Sequence, residues 1–177
     1  MLTELAARSH YCLSQLNEHK KGWHDMALHA SWIHGNALTV ENPGSLDRVG
    51  HFGWGADMAI KPGQNSWFHI PLATPVIVGD VRSKVQRLFL MFSATSGSIR
   101  NVHIYDGSGK VQEFNNLLLT GEHRTELDSA NTFDLSAPHT VVWGMGVSFF
   151  FVADIGFDSP IPDARLIVSS AGGDFFV

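Results

Sequence analysis

The chain has 177 residues, enough for one domain with a substantial core. A formal net charge of −5, with no basic run longer than Lys20-Lys21, argues against nucleic acid as a partner. The single cysteine, Cys12, excludes an intramolecular disulfide framework and any cysteine-based zinc site.

The N-terminal stretch lacks the basic start and apolar run of a secretory signal, and the apolar "VSFFFVADIGF" is too short to span a membrane and is broken by Asp154. A cytoplasmic protein with no membrane contact is the expectation. Hydrophobic residues make up 44% and charged ones 16%; twelve Phe and five Trp suggest apolar side chains beyond a single core's needs. That surplus points to a cavity, a groove or a subunit interface.

Residues 3–20 read as a helix capped by Thr3, with an apolar stripe from Leu2 to Leu16 and a stop at Gly22. Packing on the outside of a sheet is the simplest role for it; dimerisation or a lid is the alternative. From Ala27 the hydrophobic period becomes two. Strands are expected near 28–34, 37–41, 66–71, 75–78, 85–94, 99–105, 110–115, 139–152 and 163–169, separated by Gly, Pro, Asn and Asp turns. The clearest hairpin is "YDGSGK", with Asp106-Gly107 between two alternating runs. Many short strands without interleaved helices predict one all-β domain over residues 1–177, an antiparallel, jelly-roll-like β-sandwich with one N-terminal helix. Residues 43–64, rich in glycine and carrying Phe52 and Trp54, read as a loop that either plugs the end of the sandwich or closes over a ligand as a lid.

Strand alternation sorts the side chains into faces. Trp32 and His34 share a face opposite Ile33; Trp67 and His69 share one opposite Phe68 and Ile70. Asn101, His103 and Tyr105 likewise oppose Val102 and Ile104. Each of these strands has a plain apolar face for the core and a second face of Trp, His, Tyr and Asn, the usual chemistry of a ligand site. In "TVVWGMGVSFFFV", Trp143 aligns with Val141, Met145, Val147, Phe149 and Phe151, while Gly144, Gly146 and Ser148 leave the other side bare for close approach. "VQRLFLMFSA" is apolar on both sides and must be covered on both.

Ten histidines raise the question of a metal, but His24, His29 and His34 cannot converge from one regular element, and His34, His69 and His103 would converge only if three strands met. No HxD or HxE pattern supplies a carboxylate ligand, so neither a metal nor another cofactor is expected. Acid–base chemistry without a cofactor would use His34 and His69 as bases, Tyr105 as acid, and Asn101 or Asn36 at an oxyanion, suiting a cyclase, isomerase or lyase. Satisfied structural histidines that bond loop backbone are the competing account. A lectin-like carbohydrate-binding module is the main non-enzymatic reading, with rings stacking on Trp54, Trp67 and Tyr105 and hydroxyls bonding Asp106 and Asn101.

Four segments, "HGNALTVENPG" (34–44), "WFHIPLATPVIV" (67–78), "VHIYDG" (102–107) and "VWGMGVS" (142–148), together resemble a family of small microbial proteins classed as a domain of unknown function. The resemblance spans about residues 29–152; Ser66 stands where the family pattern has asparagine, and Leu72-Ala73 intervene before Thr74-Pro75. It implies one all-β domain and no established activity, and its motifs fall on His34, Asn36, Trp67, His69, His103, Tyr105 and Asp106.

The sequence therefore predicts a small-molecule site lined by Trp32, Asn36, Phe52, Trp54, Trp67, Asn101, His103 and Trp143 around His34, His69 and Tyr105. The leading reading is an apolar or aromatic ligand handled by acid–base chemistry, followed by sugar binding and then a pure interaction module. A homo-oligomer contact through the N-terminal helix or an apolar sheet face is the protein partner left open.

Overall fold

A computed structural model describes residues 28–155 and 163–177. The helix expected over residues 3–20 lies outside the described residues. The chain runs through β1 (Leu28–His34), β2 (Thr39–Val40), β3 (Leu46–Phe52), β4 (Gly55–Ile60) and β5 (Asn65–Pro71). It continues through β6 (Ile77–Val78), β7 (Val81–Arg82), β8 (Lys84–Asp106) and β9 (Gly109–Phe114). It ends in β10 (Leu119–His123), β11 (Thr132–Thr140), β12 (Met145–Ala153) and β13 (Ala164–Phe176). All pairings among the described residues are antiparallel.

The all-β antiparallel architecture is as expected, but its two layers are halves of one continuous sheet. They share β8, whose 23 residues absorb the two separate strands expected at 85–94 and 99–105. Along one edge β8 pairs first with β13 and then with β12; its other edge takes β11, β10 and β9. The first layer runs β3-β4-β13-β8, with β1 continuing along the β13 edge beyond β4. The second runs β2-β5-β12-β8-β9. Between them lies one core: Met58, Ile60, Leu88, Leu90, Phe92, Leu166 and Val168 from the first layer meet Phe68, Ile70, Val102, Ile104, Val147, Phe149 and Phe151 from the second. Burying each such side chain contributes about 1.5–3 kcal/mol, which is what closes one half over the other.

Residues 43–64 are not an open loop. Most form the β3–β4 hairpin, and Ala56, Met58 and Ile60 sit fully buried with Asp57 turned to the opposite face. Small residues and glycines mask this alternation in the sequence. The glycines here permit close contact: a Cβ on Gly55 (φ +143°) would lie 2.3 Å from the Val168 carbonyl oxygen, and one on Gly35 would lie 2.0 Å from the same atom. At Val168 the β13 edge passes from β4 to β1, so both departing chains crowd one carbonyl.

The expected strand 139–152 is also divided, into β11 and β12, by a turn at 141–144. Trp143, expected alongside the inward Val147 and Phe149, is 78% exposed in that turn. Among the described residues no helix is long and apolar enough to cross a membrane.

The Gly35 contact is backbone against backbone and cannot be relieved by a rotamer change. Gly35→Ala should destabilise the fold by about 3 kcal/mol, as overpacking at a rigid contact does, and a denaturant melt compared with Gly44→Ala, whose Cβ would meet only the Asn42 side chain at 3.4 Å, checks it.

Candidate functional site

The outer face of the second layer is a grid set by strand register. Trp67, Phe150 and Asn101 form one row across β5, β12 and β8; His69, Ser148, His103 and Glu113 form the next, reaching β9; Pro71, Gly146, Tyr105 and Lys110 form the third. Alternation explains the sorting: Phe68, Ile70, Phe149, Phe151, Val102 and Ile104 go inward, so their neighbours point out. The Trp67 indole crosses β12, whose Ser148 is small, and meets the His103 imidazole with ring centroids 4.7 Å apart. Phe150 flanks it at 5.2 Å, and Tyr105 continues the series 6.5 Å from His103. Trp67, Phe150 and Tyr105 are all half-buried, a packed platform with one side open.

Polar groups ring this platform. His69 Nδ1 lies 2.9 Å from Ser148 Oγ, and its Nε2 is 3.3 Å from a Glu41 carboxylate oxygen. His103 Nε2 is 3.1 Å from Asn115 Oδ1 and 3.8 Å from a Glu113 oxygen. Asn101 Nδ2 donates to the same Asn115 oxygen at 2.5 Å. Lys110 pairs with Glu113, and this ammonium holds the Glu113 carboxyl below its ordinary value. His69 thus sits between a neutral oxygen and a carboxylate, whereas His103 is bonded on Nε2 by Asn115 with the Glu113 carboxylate farther off.

The structure brings Trp67, His69, Asn101, His103 and Tyr105 onto one face, but the other site residues expected with them lie elsewhere. Trp32 and His34 point outward from β1, in the first layer, so they face away from Trp67 and His69. Trp32 stacks on Phe89 (centroids 5.2 Å, planes 10° apart) across Gly172, which covers the second apolar side of β8. His34 bonds backbone groups: Nδ1 accepts from the Asn36 amide at 3.3 Å, and Nε2 lies 3.2 Å from the Gly53 carbonyl oxygen. Asn36 Nδ2 donates to the Phe52 carbonyl at 2.8 Å, so both expected site residues clasp the β3–β4 turn. Phe52 and Trp54 stack on each other at that turn. Among the described residues no three His, Cys, Asp or Glu side chains gather as metal ligands.

Ser148, Phe150, Glu41, Glu113 and Asn115 escaped the sequence reading as site residues. Phe150 had a signal: three consecutive phenylalanines in a strand must place at least one opposite the others. Ser148 shares its parity. Glu113 and Asn115 become visible only once the β8–β9 register, with its shift between Ile104 and Tyr105, is known.

At the end of the grid stands Asp106, 6% exposed. Its carboxylate accepts from the Val142, Trp143 and Gly144 amides at 2.7–2.9 Å and lies 2.9 Å from His139 Nε2. These bonds draw residues 142–144 out of the ladder and aim Trp143 outward, its ring over Gly107. A shallow groove of ≈ 400 Å³ between Trp143, His139, Val142 and Lys110 borders this turn. Burial pushes the Asp106 pKa up, but the Gly144 amide, His139 and the other two amides outweigh it and hold the value at about 2.

The site thus sits on an all-β antiparallel sheet folded into two layers. Residues 26–173 match a family of unknown function, DUF6623, and the chain belongs to that family. No curated protein matches the sequence. Among solved structures, it is similar to the CBM36-1 domain of a multidomain xylanase from the hindgut metagenome of Trinervitermes trinervoides (9% identity, 82% of this chain and 96% of that one, TM-score 0.39). A carbohydrate-binding module CBM36 in complex with calcium and xylotriose gives 11% identity over 80% and 97% of the two chains, TM-score 0.35. CBM35 from Paenibacillus barcinonensis gives 14% over 81% and 98%, TM-score 0.34. At these scores the likenesses establish neither a common fold nor a common function.

Because the folded-state pKa of Asp106 is depressed from 3.8 to about 2, its stabilisation is fully present above pH 4 and lost as pH falls through 2. Asp106→Asn should cost about 2 kcal/mol at pH 7, and the gap from the parent protein should close between those two pH values in denaturation curves.

Proposed function

We propose that the outer face around Trp67 binds a neutral carbohydrate. The observation that carries this reading is the half-buried platform of Trp67, Phe150 and Tyr105, open on one side and bordered by fixed hydrogen-bonding groups. A sugar ring offers a flat patch of weakly positive C–H bonds that packs on an aromatic face, and hydroxyls that need donors and acceptors at its rim. His69, Ser148, Asn101, His103 and Tyr105 supply both kinds. Glu41 and Glu113 accept hydrogen bonds from hydroxyls, and Glu41 disfavours an anionic ligand. Gly146, without a side chain, leaves space beside Tyr105 for a second ring.

An acid–base enzyme is the second reading, and one observation favours it. His69 bridges Ser148 Oγ and Glu41, the arrangement in which an imidazole takes a proton from a hydroxyl while the carboxylate orients the ring and stabilises the imidazolium. An apolar substrate would call for an enclosed apolar cavity, and the platform is an open sheet face.

Titration calorimetry against neutral xylo-, cello-, manno- and galacto-oligosaccharides tests the proposal. At least one series should bind, and Trp67→Ala should weaken it about tenfold or more, the loss of about 1.4 kcal/mol of stacking. His69→Ala separates the readings: a sugar binder keeps most of its affinity, whereas an acid–base enzyme loses turnover with its fold intact. Absence of binding across all four series would sink the proposal.

A further inference from the structure

We propose that the outer face of the first layer carries a second site, for a sugar ring bearing a carboxylate, built from Arg48, Phe52 and Trp54. The aromatic pair is its first element. Phe52 and Trp54 stack with centroids 5.0 Å apart and planes 6° apart, yet they remain 41% and 45% exposed. This conformation is held from outside the hairpin, by Asn36 on the Phe52 carbonyl and His34 on the Gly53 carbonyl. Leaving two large rings half in water while bracing their turn with two side chains serves no need of the core, which lies on the other face of β3 and β4.

Charge is the second element. Arg165 makes a two-pronged bond to buried Asp57, Nε to Oδ1 at 3.0 Å and Nη2 to Oδ2 at 2.8 Å. Arg48 Nη2 approaches the same Oδ2 at 3.2 Å. One carboxylate facing two guanidiniums leaves a positive charge over, and the Arg48 side chain is 48% exposed. The nearby Arg124 does not change this balance, because Glu122 pairs with it.

Gly50 joins the two elements. Arg48, Gly50 and Phe52 share a strand face, and a Cβ at Gly50 would lie 2.4 Å from Phe52 Cε2 and 3.4 Å from Arg48 Nη1. The missing side chain lets guanidinium and ring close over the same spot. A flat apolar surface flanked by a surplus guanidinium recognises a ring carrying an anion, and the planar fork of arginine matches a carboxylate. Uronic-acid residues of a polysaccharide have that chemistry. The charge is opposite in sign to Glu41 at the border of the Trp67 face, and the proposal stands independently of what that face binds.

The test uses the full chain with polygalacturonate as probe, in affinity electrophoresis and in amide-shift mapping of its short oligomers. Polygalacturonate should retard the protein, with shifts confined to residues 34–36 and 48–57. Trp54→Ala and Arg48→Gln should each weaken binding about tenfold; Arg48→Gln leaves the two-pronged Arg165–Asp57 bond in place, and an unchanged melting curve verifies the fold. Arg48→Lys, which keeps the charge and loses the fork, should fall between the parent protein and Arg48→Gln. The proposal is overturned if polygalacturonate does not bind, if polyglutamate retards the protein equally, or if the shifts cluster around Trp67, His103 and Ser148.

Discussion

A strand paired on both edges over 23 residues accumulates more twist than a flat layer accommodates, and β8 is such a strand. It turns at Ser96, whose φ of 55° lies in the left-handed region, and from Gly97 onward it belongs to the second layer. On one edge, β13 has its last partner at Thr95 and β12 its last at Gly97, so the change of neighbour falls at the bend. The rest of the architecture depends on this. Because both layers share one strand, their inner faces are fixed against each other, and their outer faces necessarily point apart. Trp32 and Trp67 obey the same alternation on their own strands and still end on opposite sides of the molecule.

Buried carboxylates then set local features of the surface. Asp106 draws three successive amides to one side chain, which ends β12 at Met145 and turns Trp143 outward. Asp57 sits on the outer face of the first layer, yet only 3% of it is exposed because two arginines lie across it. In both cases a group that is costly to bury is fully partnered. Each shapes a surface feature: an exposed tryptophan beside a groove in one, a surplus cation beside an aromatic pair in the other.

These two effects explain what could be read from the sequence. The inward and outward assignment of Trp67, His69, Asn101, His103 and Tyr105 was legible because strand parity is a local property. Strand order is not, since nothing in the Trp32–His34 or Trp67–His69 segment says which layer its strand joins, and parity alone groups His34 with residues it faces away from. Residues 43–64 misled for another reason. The alternation of Ala56, Met58 and Ile60 is carried by residues separated by Asp57 and Ala59, inside a glycine-rich stretch, and Asp57 inverts the usual solvent-facing signal by being buried with arginines from β3 and β13. Trp143 fits the apolar pattern of β12, and only a carboxylate 37 residues earlier removes it from the strand.

The distribution of partners on the second layer also bears on what its histidines can do. Each imidazole is held by neighbouring side chains, His69 by Ser148 and Glu41, His103 by Asn115. Such side chains lose little further freedom when a ligand arrives, and preorganisation of this kind favours binding. Turnover asks for more: donors aimed at the charge that develops in a transition state, in a place that excludes water. The backbone amides beneath this face are committed to the ladders of β5, β12 and β8, and the face itself is open. The platform thus combines an aromatic surface with fixed polar edges and no spare backbone amide from the strands beneath it, and Glu41 near Trp67 and Arg48 near Trp54 give the two outer faces opposite local charge.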